Sequence, residues 1–136
     1  MVRDVLYSVV TLHDCMQDPA SLAWLAHSDA PLPGVTPPGR YPAPSEIIAV
    51  CEGIPGIRAA YKIGSRTWQA VLTSRKDVSW GILQVVDFTG DESQPHRFCF
   101  PAGWDEVILL AASHLAKVCG PLVLLHDSGA PPQVIY

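Results

Sequence analysis

The chain has 136 residues, with 13 acidic against 9 basic side chains and a formal net charge of -4. Apolar residues make up 49% and charged residues only 16%, with a mean hydropathy of +0.21, a composition that excludes a disordered chain. One domain of this size holds a core without metal or disulfide staples, and its acidic balance argues against a nucleic-acid partner.

The run from Val2 to Leu12 is apolar and rich in β-branched residues, which predicts a buried strand. Asp18-Pro19 then opens a short helix through His27, with Asp18 as cap and Pro19 at the first helical position. Residues 31–44 hold six of the 13 prolines together with Gly34 and Gly39. Such a segment suits neither a helix nor a ladder strand, so a stiff surface loop is expected within a single domain spanning 1–136.

Ser45 is placed to cap a helix through Glu52, closed by Gly53. From Pro55 onward the pattern has period two: Ala59, Tyr61 and Ile63 alternate with Arg58, Ala60 and Lys62. A two-residue turn at Gly64-Ser65 would set Tyr61 opposite Trp68 and Lys62 opposite Thr67. Further strands are expected over Val78–Thr89 and His96–Phe100, completing an antiparallel meander. The clearest helix runs from Gly103 to Cys119, with Asp105 and Glu106 in its first turn, Lys117 in its last, and Gly120-Pro121 to stop it. Leu122–Leu125 and Gln133–Tyr136 read as two closing strands. The fold class is therefore α+β: a mainly antiparallel sheet packed by two or three helices in a single layer.

The motif inventory is mostly negative. There is no glycine-rich phosphate loop, no nucleophile elbow, no HExxH and no CxxC. Of the cysteines at 15, 51, 99 and 119, the last three have largely apolar neighbours, so free thiols in a reducing cytoplasm are expected, with two disulfides as the alternative. The longest apolar run, Val107 to Ala112, is far short of the ~20 residues that span a bilayer. Asp4, Asp14 and Asp18 around the first apolar stretch argue against a signal peptide.

One constellation points to chemistry. His13-Asp14 follows the first strand and His126-Asp127 follows the strand after the long helix. Were those strands parallel neighbours, both pairs would meet at one sheet edge, as a metal site or a general base with its orienter. The competing reading is that polar residues mark strand ends. A ligand pocket walled by Trp68 and Trp80, closed by Arg40 and Tyr41 of the proline loop, is the other candidate. Charge is also segregated, since Arg58, Lys62, Arg66, Arg75 and Lys76 lie between residues 56 and 76 with no acidic residue among them. The hairpin register turns Arg58 and Lys62 away from the Tyr61–Trp68 pair, as on any solvated sheet face.

On a helical wheel, Trp104, Ile108, Ala111, Leu115 and Val118 share a face, whereas Leu109 and Leu110 flank the polar stripe of Glu106, Ser113 and Lys117. A second copy covering Leu109 and Leu110 would make the chain a homodimer. The leading functional expectation is a small cytoplasmic binding or interaction protein, homo-oligomeric, with a small-molecule pocket or a groove for a protein partner. Size and lack of motifs suit the products of bacterial mobile cassettes or immunity loci. The alternative is a small hydrolase or metal-dependent enzyme using His13, Asp14, His126 and Asp127. No cofactor or resident metal is expected.

Overall fold

A computed structural model describes residues 2–3, 7–28 and 31–136. Part of the Val2–Leu12 strand prediction thus lies outside the described residues. Every strand pairing is antiparallel. The sheet runs β3 (Ile57–Ile63), β4 (Trp68–Ser74), β5 (Trp80–Val85), β6 (Phe98–Trp104), β2 (Tyr7–Thr11), β7 (Leu122–His126), β8 (Gln133–Ile135), with the short β1 (Val2–Arg3) beside the end of β6. The meander supplies four consecutive strands through local hairpins, and β2 enters between β6 and β7 from the far end of the sequence.

Four helices complete the α+β fold: α1 (Leu12–Gln17), α2 (Pro19–Leu25), α3 (Pro44–Glu52) and α4 (Asp105–Cys119). The predicted layer consists of α3 and α4 on one face. Val107, Ile108, Ala111, Ala112, Leu115, Ala116 and Cys119 of α4 are buried there with Trp68, Leu72, Leu83, Phe98 and Phe100 of the sheet. These positions recur at helical and period-two spacing respectively, so each element presents one apolar face. Fully burying Ile108 or Leu115 contributes roughly 1.5–3 kcal/mol each. α4 sits close over β5 because Gly81 has no side chain, and a Cβ there would lie 3.1 Å from Val107 Cγ1.

The other face is divided. Over β2 and β7, α1 and α2 cover a small second cluster of Leu12, Cys15, Leu25 and Val123. Over β3 to β6, no helix among the described residues covers this face, and along β4 and β5 buried residues alternate with more exposed ones.

Several local predictions need correction. α1 follows β2 without a gap, so His13 and Asp14 lie in the first turn of a helix rather than in a strand-end turn. Thr11 caps that helix, accepting a hydrogen bond from the Asp14 N–H at 3.1 Å. Asp18 caps α2 as predicted, accepting from Ser21 N–H. Ser45 does not cap α3: Pro44 takes the first turn, and Glu46 reaches back to accept from the Ala43 N–H at 3.0 Å. The β3–β4 register pairs Ile63 with Trp68 and Tyr61 with Ala70, two residues from the predicted one. A shift of two preserves every side chain's face, and Tyr61 still meets Trp68 diagonally with ring centroids 5.7 Å apart.

Candidate functional site

The two His-Asp pairs do not converge. β2 and β7 are neighbours, as the site required, but antiparallel: Thr11 pairs with Leu122 while Tyr7 pairs with His126. His13 and His126 therefore sit at opposite ends of that strand pair: His126 lies level with Tyr7, about four strand steps or roughly 14 Å from Thr11, and His13 lies beyond Thr11 in α1. Each imidazole has local work. His13 Nδ1 donates to the Pro37 carbonyl at 3.0 Å, leaving Nε2 to accept from the Gln17 amide at 2.9 Å. His126 Nδ1 lies 2.6 Å from Ser128 Oγ and accepts from the Ser128 N–H, within 3.3 Å of Asp127. Its ring also stands edge-on to Tyr7 at 5.1 Å. No group of three or more metal-ligating side chains is assembled among the described residues.

The tryptophan pocket is likewise not formed. Trp68 points inward, is 1% exposed, and donates from Nε1 to Glu92 Oε1 at 3.0 Å. Trp80 pairs across the sheet with Thr73, a position of opposite parity to Trp68 on β4, so it faces outward. The expected pocket wall of Trp68 with Trp80 is thus split between the two faces, Gly81, Leu83 and Val85 being the residues of β5 on the core side.

The proline loop does close a site, at a different place. Arg40 donates its N–H to the Cys119 carbonyl at 3.0 Å and its guanidinium to both carboxylate oxygens of Glu46 at 2.7 and 2.6 Å. That fork holds the Glu46 carboxyl down at about 2. Gly39 passes so near α1 that a Cβ would lie 3.0 Å from His13 Cβ. Gly120, at φ 81°, lets the chain turn directly beneath the loop, where a Cβ would meet the Pro38 carbonyl oxygen at 2.5 Å. His13, Arg40 and Gly120 thus seat the loop on α1 and the end of α4.

Seated in this way, the loop presents Tyr41 to a cleft of about 270 Å³ lined by Val10, Asp14, Cys15, Asp18, Ser21, Tyr41, Arg97 and Leu125. The Tyr41 hydroxyl donates to Asp14 Oδ2 at 3.0 Å and accepts from the Thr11 N–H at 3.4 Å. The Arg97 guanidinium lies 5.9 Å from the Tyr41 ring centroid and makes no ion pair among the described residues. Val10 and Leu125 provide an apolar floor. Burial pushes the Cys15 thiol up, with Asp14 and Asp18 adding to the shift. Burial raises Tyr41 as well.

Of these residues, sequence reasoning named Asp14 and Tyr41 as candidates and missed Arg97. The available signal was the alternation Arg97-Phe98-Cys99-Phe100, which turns both phenylalanines to the core and Arg97 with Cys99 to the opposite face. Leu109 is half-buried and packs against the main core. It also lines a groove with residues 130–135. Leu110 is 37% exposed. Compared with protein-family models, curated proteins and solved structures, the chain matches none.

Proposed function

We propose that this chain is a small binding module whose ligand site is the Tyr41 cleft. The observation that carries the reading is the joint placement around an apolar floor of an Asp14 carboxylate, a Tyr41 hydroxyl and an Arg97 guanidinium that has no ion pair among the described residues. Most binding sites have this composition: an apolar surface with a few convergent polar groups. The two charge signs favour a small zwitterion. Its carboxylate would take Arg97, its ammonium Asp14, and its apolar part would lie on Val10 and Leu125. Arg97 suits a carboxylate because its planar fork offers paired donors.

A covalent role for the cleft is disfavoured by the state of Cys15. The thiolate is the reactive form, and burial beside two carboxylates works against it.

The test is amide NMR of the whole chain titrated with the free amino acids as probes. Shifts are expected at Asp14, Tyr41 and Arg97, saturating for amino acids with branched apolar side chains. Arg97→Ala should weaken that binding by tenfold or more, the usual scale for a charge-assisted hydrogen bond. Saturable binding unchanged in Arg97→Ala, or no saturable shift with any probe, overturns the reading.

A further inference from the structure

The open face of the meander lies outside the cleft, and its residues fall into cross-strand rows. Arg58, Thr73 and Trp80 form the first row, and Ala60, Val71, Ile82 and Ala102 the second. Lys62, Gln69, Gln84 and Cys99 form the third. Arg58, Ala60, Lys62, Thr73 and Gln84 are exposed, and Trp80, Val71 and Ile82 are half-buried. Arg75 joins the first row, sharing a hollow of about 210 Å³ with Arg58, Thr73 and Ser74.

Two properties of this surface select its occupant. The first is charge. No described residue of the three rows is a carboxylate, and Arg58, Lys62 and Arg75 make no ion pair among the described residues. Their charge therefore stays available although the whole chain is acidic. The second is the outward turn of Trp80. The predicted hairpin register concerned only the Tyr61–Trp68 pair, which it turned away from Arg58 and Lys62. In the structure Trp80 shares a row with Arg58, two strands away.

An aromatic platform set among cations and side-chain amides is what an unpaired polynucleotide uses. Phosphates meet the cations, and a base stacks on the ring whatever its identity. The Gln69 and Gln84 amides offer both donors and acceptors to exposed base edges. An acidic protein segment would satisfy the cations and leave Trp80 without a role. A second copy of the same face would bring Arg58 and Lys62 against their own duplicates. We infer that the open face binds single-stranded nucleic acid, with Arg58, Lys62 and Arg75 on phosphates and Trp80 stacked on a base.

The experiment is fluorescence anisotropy of a labelled oligouridine with the whole chain, at about 50 mM salt and upward. Binding is expected to weaken steeply with salt. The double variant Arg58→Glu, Lys62→Glu should weaken it at least tenfold and reduce the slope of log affinity against log salt by about 0.7 per lost phosphate contact. Trp80→Ala should cost about fivefold or more with that slope unchanged, because stacking releases no counterions. Trp80→Leu keeps an apolar side chain over the sheet but removes the ring and should give a similar loss, with an unchanged thermal unfolding midpoint separating lost stacking from misfolding. Absence of binding at about 50 mM salt overturns the inference. So does equal competition by polyglutamate together with an unaltered Trp80→Leu affinity, which would assign the face to an acidic protein.

Discussion

At His13 both ring nitrogens are committed, one to the Pro37 carbonyl and one to Gln17. The residue that looked most like a ligand or base therefore acts as a clasp on the proline loop. His13→Ala removes both bonds, and a net loss of about 1 kcal/mol for each is the ordinary scale. Thermal unfolding is expected to move down accordingly. The Arg40–Glu46 fork carries a pH signature of its own. Glu46 titrates near 2 in the folded chain against an ordinary 4.5. Its folded value is depressed, so its contribution is present above pH 4.5 and is lost as pH falls from there towards 2. Both partners are well exposed, at 51% and 36%, so solvent screening limits the effect to about 1 kcal/mol. Glu46→Gln should flatten that segment of the acid-unfolding curve, and an unchanged curve would show that the fork contributes no stability. The thiols make a third check. Burial holds Cys51 at about 12 and Cys119 at about 11, so both should resist alkylation at neutral pH until the chain unfolds.

At the scale of elements, the meander was legible because period-two alternation is local information. The two-residue error in the β3–β4 register left every face correct, since only odd shifts exchange faces. β5 shows the opposite case. Its core side is Gly81, Leu83 and Val85, so Trp80, expected to wall a pocket with Trp68, lies on the other face. Gly81 is inward because α4 lies almost in contact with that backbone, a reason that exists only after packing. α4 itself was readable from its caps and apolar stripe. Gly120 behind it takes a positive φ against the Pro38 carbonyl. Gly120→Ala combines backbone strain with that clash and should cost about 1–3 kcal/mol. Denaturant unfolding measures the loss, and the Tyr41 cleft should loosen with it.

At the scale of the molecule, the sequence could not supply the direction of β7 relative to β2. Strand direction depends on how the chain returns after α4, and no residue of either strand encodes it. That one topological fact separated the two His-Asp pairs and leaves the Tyr41 cleft as the proposed site. The cleft gathers side chains from positions 10 to 125, too scattered for any spacing rule to detect. The self-association expected from α4 now has Leu110 as its exposed apolar residue there, amid Glu106 and Lys117. If that face pairs two copies, Leu110→Lys should shift light scattering towards the monomer without lowering thermal stability. A parent chain that is already monomeric at micromolar concentration removes that proposal.

The insertion of β2 between β6 and β7 also has a kinetic consequence. Strands β3 to β6 can zip together through short hairpins, but β2 has no partner until β6 and β7 have been made. A strand that precedes the meander in sequence is thus placed after it, and closing such distant contacts slows folding. Until it arrives, β6 presents an open edge that invites pairing with another chain. A mutation such as Val9→Ala should accordingly show its effect mainly as faster unfolding, with the meander already formed in the transition state.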